Sequence, residues 1–250
     1  MKKNTARLVC RRSRFRWPTS FSAACAPTTK KAPAMDKLDA ISDQIREAFE
    51  RKSAARDAAI ARSRETIRHC AEAIRAIHRR EWDDAEKKLA RVREAANTLR
   101  ADVASYPDLM FAGFTQDALK EVVEAYCTYA MVRGDELPSP QELDVEDSTY
   151  LNGLAEAATE LRRFILDILR REDGDSAEAE RLLELMDAIY DKLVIFDFPD
   201  AITGGLRRQT DIVRGVLERT RGDVTTTIRE LRLQAALQRF ENRVLGSQPD

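Results

Sequence analysis

The feature that most constrains the fold of this sequence is a long run of residues that favour a helix. No glycine or proline interrupts residues 38–79. Within this run, isoleucines recur at the spacing of one helix face, at Ile60, Ile67, Ile74 and Ile77. The whole chain has only nine Gly and eight Pro in 250 residues, a composition that is typical of helical proteins.

Glycine, proline and short polar segments divide the rest of the chain into further helices. The predicted helices after the first cover residues 81–105, 108–134 with a kink near Gly113, 149–171, 176–195 and 206–240. No stretch shows the alternation of apolar and polar residues that a β-strand requires. The sequence therefore predicts an all-α protein, a bundle of six to seven helices.

The two ends of the chain differ from this helical body. The leader, residues 1–34, carries nine Lys or Arg and no Asp or Glu. Its composition is compatible with a transit peptide, but a start at Met35 is the simpler explanation and would make the leader an artefact of an upstream start site. We predict a disordered leader, a single all-α domain over residues 35–240 and a disordered tail over residues 241–250.

Charge and cysteine content restrict the functional class only loosely. The basic leader leaves 33 of the 42 basic residues, against all 43 acidic ones, for residues 35–250. Overall charge therefore does not predict a nucleic-acid-binding protein. The four cysteines, which are Cys10, Cys25, Cys70 and Cys127, lack a metal-type spacing and favour free thiols in a reducing, cytoplasmic compartment. No apolar run reaches the length of a membrane span, so no membrane partner is expected.

Two pairs of glutamates lie in apolar helical surroundings. Glu121 and Glu124 share one helix face in ALKEVVEAYCTYAMV, and Glu156 and Glu160 share one face in YLNGLAEAATELRR. A lone buried carboxylate costs several kcal/mol, and neighbouring carboxylates raise one another's pKa. If the two helices are neighbours, a hard divalent cation, Mg²⁺ or Mn²⁺, would compensate these charges. Such a site could activate water and stabilise a phosphoryl transition state.

A simpler explanation of the glutamate pairs is also open. Each pair is compatible with an ordinary solvated helix surface, on which Glu160 pairs with Arg162 or Arg163. The two histidines, His69 and His78, lie nine residues apart and far from the glutamates in sequence. This separation argues against a di-iron or a zinc centre.

The first helix carries an excess of positive charge. Residues 51–80 contain nine Lys or Arg against three Asp or Glu, a pattern that is compatible with binding to a phosphate backbone. Arg64 and Arg68 are our candidates for nucleic-acid contacts, although a solvated helix with ion pairs explains the same pattern. Aromatic residues are scarce here, which argues against sequence-specific reading of a single strand on this helix.

Four stretches of the chain together resemble the translin/TRAX family. They are SRETIRHCAEAIRAIHRR, FTQDALKEVVEAYCTYAMV, DVEDSTYLNGLAEAATELRR and AIYDKLVIFDFPDAITGGLRRQTDIVRGVLE. The resemblance covers about residues 38–230. It implies an all-α subunit that assembles into a hollow octamer, here a homo-oligomer, and that binds single-stranded RNA or DNA. For subunits of the TRAX type it also implies a Mg²⁺-dependent endoribonuclease.

The resemblance also implies roles for the four glutamates. The family's Glu-x-x-Glu-Ala motif matches Glu121 and Glu124. Its next acidic position falls on Glu156, where catalytic subunits more often have Asp. The glutamate of a Gly-Glu-Leu motif falls on Glu160, with Thr159 in place of the glycine. We therefore predict that these four glutamates are both the metal ligands and the catalytic residues.

Two other functions are alternatives to a nuclease. A non-catalytic scaffold for RNA or single-stranded DNA would account for the basic first helix and for the change to Glu156. An all-α NTP pyrophosphohydrolase also holds Mg²⁺ with carboxylates from two helices. Its usual motif begins Glu-Glu-x-x-Glu, however, and here Lys120 precedes Glu121, so the match is poor.

Overall fold

The computed structural model describes residues 33–171 and 176–245 of the chain, and within them all regular structure is helical. In chain order the helices are α1 (Pro33–His78), α2 (Trp82–Val103), α3 (Pro107–Met110), α4 (Gly113–Arg133), α5 (Pro140–Leu143), α6 (Asp147–Leu169), α7 (Ser176–Val194), α8 (Asp200–Thr203) and α9 (Leu206–Leu245). Six of them are long and correspond to the six predicted helices. The all-α prediction is confirmed.

The three single-turn helices α3, α5 and α8 lie where the sequence predicted a kink or loops. In α5, Ser139 accepts a hydrogen bond from the backbone N–H of Glu142, and the Glu142 side chain accepts one from the backbone N–H of Ser139. This reciprocal capping box and Pro140 at the first position stabilise one helical turn. Asp144 then adopts a left-handed conformation with φ of 53°, which ends the turn.

The ends of the described helices differ from the predicted boundaries. Residues 33 and 34, predicted as leader, belong to α1, and residues 241–245, predicted as tail, belong to α9. Residues 1–32 and 246–250 lie outside the described residues. For them, the disorder of the leader and of the tail stays a prediction. The chain divides into two units, Met1–Arg46 and Glu47–Asp250, and a single domain over residues 35–240 stays a prediction.

The core of the second unit is built around α4 and α6. Helix α6 packs against α4, α7 and α9, and α4 also packs against α2. The contact between α4 and α6 is very close at Gly153, where an added Cβ would lie 2.6 Å from the Cβ of Val123 and 2.7 Å from the backbone oxygen of Lys120. Only a glycine fits at this point of α6, because real Cβ atoms do not approach other heavy atoms so closely.

Two further expectations concern thiols and membranes. Cys70 and Cys127 are free and buried, while Cys10 and Cys25 lie outside the described residues. Among the helices described, none is both long and apolar enough to cross a bilayer.

The close contact at Gly153 leads to a prediction for stability. We expect Gly153→Ala to destabilise the protein by about 1–3 kcal/mol, because overpacking forces α4 and α6 apart. Gly222→Ala is the matched control, since Gly222 lies in α9 and an added Cβ there meets nothing within 4 Å. Alanine at that position should stabilise the helix by about 0.5–1 kcal/mol. Denaturant unfolding at one fixed protein concentration measures the stability of both variants. Equal changes in stability for the two substitutions would contradict the packing argument.

Candidate metal centre

Helices α4 and α6 bring three of the four predicted glutamates together. Glu121 and Glu124 come from α4 and Glu156 from α6, and one carboxylate oxygen of each lies within 4.8 Å of the other two. All three side chains are partly buried. The neighbours of the α4 pair, Val122 and Val123, are buried in the core. The cluster therefore lies at the edge of the hydrophobic core, where water compensates charge only in part.

The fourth predicted ligand, Glu160, has a different partner. Its Oε2 lies 2.7 Å from Nε2 of His78, at the end of α1. Arg162, one of the two partners that the simpler explanation proposed, binds Thr220 and Asp223 on α9 instead. Glu160 lies close enough to Glu124 for its charge to raise the pKa of that residue. It therefore contributes to the field of the cluster while its carboxylate contacts the histidine.

His78 is a residue that the sequence interpretation did not connect with the glutamates. Its side chain is only 2 % exposed, and its ring stacks on Phe164 with the centroids 4.2 Å apart. Nδ1 of this ring is buried and has no hydrogen-bond partner among the described residues. His78 and Glu160 are 82 positions apart in sequence, so no local pattern indicates their contact.

Glu156 is oriented by two side chains that the sequence interpretation also did not place at the site. Lys120 Nζ and Gln209 Nε2 each donate a hydrogen bond of 2.7 Å to the same oxygen, Oε1. Burial lowers the pKa of Lys120, but the hydrogen bond and the charge of Glu156 outweigh it and raise the pKa overall. In the described part of the chain no hydrogen bond uses Oε2, so this oxygen is the one that can face a cation.

The electrostatics of the α4 pair is unfavourable without a counter-charge. Burial raises the pKa of Glu124 to about 9, and the charges of Glu121, Glu156 and Glu160 add to this rise. Burial and the charge of Glu156 likewise raise the pKa of Glu121. The two carboxyl groups lie within 4.8 Å of each other and share one proton near neutral pH, because both cannot ionise at so short a distance.

The donor set fits a hard divalent cation. Three carboxylates supply oxygen ligands only, which is what Mg²⁺ and Mn²⁺ prefer. The nearby thiol of Cys70 does not compete, because burial and the charges of Glu121 and Glu124 raise its pKa and keep it protonated. A cation between the glutamates would replace the shared proton and remove the mutual repulsion. Cation binding at this site is therefore a prediction with a physical basis in the structure.

The two predicted nucleic-acid contacts lie on α1. Arg64 and Arg68 are exposed, and no described residue forms an ion pair with either of them. Arg62, in contrast, pairs with Glu65 and Asp102. The side chains of Arg64 and Arg68 are therefore available to phosphates. Their role in nucleic-acid binding stays a prediction.

The raised pKa of Glu124 predicts how stability depends on pH. The unfolded chain loses the Glu124 proton near the ordinary value of 4.5 and the folded protein only near 9. The free energy of unfolding in EDTA should therefore fall as pH rises through this window. Gln cannot ionise, so Glu124→Gln should flatten this slope and raise the melting temperature at pH 8. The control is Glu180→Gln, at an exposed glutamate of α7, and a slope unchanged in Glu124→Gln would contradict the assignment.

A second prediction concerns the contact between His78 and Glu160. His78→Ala removes a hydrogen bond and a buried stacking interaction, and we expect it to cost about 2–4 kcal/mol of stability. His69 is the matched control, because it is partly exposed and its contacts to Glu65 and Glu72 are long, at 3.9 and 3.8 Å. Its replacement by alanine should cost clearly less in the same unfolding measurement. Equal losses of stability in the two variants would show that the contact between His78 and Glu160 stabilises the protein no more than the long contacts of His69 do.

Comparisons with known proteins place the chain in a family. No family model matches it. It is 34 % identical over 210 residues to an uncharacterized protein of Methanocaldococcus jannaschii. The matched region covers 83 % of this chain and 90 % of that protein. The crystal structure of AfC3PO, a translin/TRAX complex from Archaeoglobus, is 34 % identical with a TM-score of 0.69 and covers 76 % of this chain and 98 % of that one.

Two further solved structures agree with this comparison. AfC3PO in a complex with duplex RNA gives a TM-score of 0.68 at 34 % identity and covers 76 % of this chain and 97 % of that one. The structure of apo-NeC3PO from Neurospora shares the fold, with a TM-score of 0.67 at 21 % identity, and covers 74 % of this chain and 96 % of that one. The chain therefore belongs to the translin/TRAX family.

Proposed function

We propose that the protein is an endoribonuclease that binds single-stranded RNA and cleaves it in the presence of Mg²⁺ or Mn²⁺. The observation that carries the proposal is the convergence of Glu121, Glu124 and Glu156 from two helices within 4.8 Å. A relative that is 34 % identical over most of its length, AfC3PO, has a solved structure in a complex with duplex RNA, which supports a nucleic acid as the ligand.

Each side chain of the site has a distinct task in this proposal. Glu121 and Glu124 would hold the cation, and their shared proton would be released to solvent. Glu156 would complete the ligand set with Oε2, because Lys120 and Gln209 fix its other oxygen. When bound, the cation would supply Lewis acidity for the attack of water on phosphorus, in which the P–O bond to the leaving ribose oxygen breaks. Lys120 adds a positive charge beside the site, where charge develops on the phosphoryl oxygens.

Glu160 has a supporting task in the same scheme. Sequence resemblance made it a fourth ligand, but its Oε2 lies 2.7 Å from His78. We assign it to the outer part of the site, where its negative charge raises the pKa of Glu124 and increases the attraction for a cation. His78 fixes the position of this charge.

The proposal also includes the oligomeric state, the cellular compartment and the nucleic-acid contacts of the protein. We expect a homo-oligomer, an octamer by family resemblance, and a cytoplasmic protein whose cysteines stay reduced. Arg64 and Arg68 on α1 would contact phosphates away from the cut. Binding should then weaken as salt concentration rises, since each phosphate contact releases counterions.

A non-catalytic RNA or single-stranded DNA scaffold is the second candidate function. The specific observation in its favour is the ion pair between Lys120 and Glu156, 2.7 Å long, which neutralises one carboxylate of the cluster without any cation. In that case the shared proton of Glu121 and Glu124 would be permanent. The protein would bind nucleic acid through its exposed arginines and would leave the strand intact.

An RNA cleavage assay separates these two functions. The full chain is incubated with end-labelled single-stranded RNA in Mg²⁺ and in EDTA, alongside Glu124→Gln and the exposed control Glu180→Gln. We expect cleavage that EDTA abolishes, that Glu124→Gln slows by at least about 100-fold, and that the control leaves unchanged. Equal cleavage by Glu124→Gln would overturn the proposal. Binding without cleavage by the unmodified protein would favour the scaffold.

A further inference from the structure

A cavity of about 680 Å³ opens beside the carboxylate cluster. It lies between the start of α4 with the turn before it, the first half of α6 and the first turns of α9. Two of its lining residues, Lys120 and Gln209, are the ones that donate hydrogen bonds to Glu156. A ligand in this cavity is therefore separated from the cluster by one layer of side chains only.

Two exposed apolar side chains from different elements line this cavity. Phe111, in the turn between α3 and α4, is 61 % exposed, and Ile212 on α9 is 45 % exposed. An aromatic ring in an otherwise polar cavity offers a flat apolar surface to a ligand. Stacking of a nucleobase on such a ring is a common way to bind single-stranded nucleic acid, and it tolerates any base because every base has a π-face.

The polar groups of the cavity complement a nucleotide. Arg208 is exposed and forms no ion pair with any described residue, so its guanidinium is available to a phosphate. The Nδ2 of Asn152 donates to the backbone oxygens of Ser148 and Thr203, both at 2.8 Å. The Oδ1 of Asn152 has no donor among the described residues, which leaves an acceptor for a ribose hydroxyl.

The charge balance of the cavity selects among nucleotide ligands. Lys120 is already paired with Glu156, so Arg208 faces two exposed carboxylates of the same cavity, Asp117 and Glu146. A triphosphate, with several negative charges, would meet these carboxylates without enough cations to compensate. A nucleotide within a chain carries one charge per phosphate and fits this balance better.

We propose that this cavity binds one unpaired nucleotide of the RNA next to the phosphate that is cleaved. The base stacks on Phe111 and contacts Ile212, Arg208 binds the adjacent phosphate, and Asn152 accepts a hydrogen bond from the ribose. A base inside a duplex is covered on both faces by its neighbours, so it cannot occupy this position. The cavity thus makes the site selective for single strands, and this inference rests on the proposed nuclease function.

The test measures stacking without cleavage. The full chain in EDTA is titrated into single-stranded RNA that carries 2-aminopurine, whose fluorescence reports stacking. We expect a fluorescence change with the unmodified protein, a loss of affinity on the order of 10-fold in Phe111→Ala, and recovery in Phe111→Trp. The matched control is Phe198→Ala, because Phe198 is 58 % exposed and lies outside the cavity. That variant should bind like the unmodified protein.

Two results would overturn the inference. One is equal binding and equal fluorescence for Phe111→Ala and the unmodified protein. The other is the same Phe111-dependent change when 2-aminopurine lies inside a duplex. The cleavage assay is read separately: stacking that depends on Phe111 in a protein that does not cleave RNA in Mg²⁺ supports the cavity and overturns the nuclease function. Cleavage by a protein whose binding ignores Phe111 overturns the cavity alone.

Discussion

The close approach of α4 and α6 at Gly153 is the contact on which the candidate site depends. Lys120 and Val123, which a side chain at this position would meet, bracket Glu121 on α4, and Glu124 follows directly. Glu156 lies three residues beyond Gly153, on nearly the same face of α6. The contact that packs the core therefore also brings three carboxylates from two helices within 4.8 Å of one another. A larger residue at position 153 would separate the ligands as well as the helices.

The carboxylates of the site differ in how their charges are compensated. Glu156 receives hydrogen bonds from Lys120 and Gln209, and Glu160 contacts His78. Glu121 and Glu124 have mainly each other, and burial together with their neighbours raises the pKa of both. Proteins tolerate such unfavourable electrostatics chiefly at functional sites, where a ligand supplies the missing charge. The uncompensated pair is thus the strongest physical indication that a cation belongs here.

Sequence patterns predicted the helices and the faces of the glutamates, but not which faces meet. The spacing of Glu121 and Glu124 fixes them on one side of a helix whatever the fold. The contacts of His78 with Glu160 and of Gln209 with Glu156 join residues 82 and 53 positions apart, and helical periodicity carries no information about such distances. The same limit explains why the simpler explanation paired Glu160 with an arginine of its own helix.

The most direct test of the metal centre is to locate the cation itself. Crystals of the protein grown with Mn²⁺ would be measured for anomalous scattering at the manganese edge. The account predicts one strong peak about 2–2.5 Å from carboxylate oxygens of Glu121, Glu124 and Glu156. A site between these residues that stays empty at saturating Mn²⁺ would contradict it.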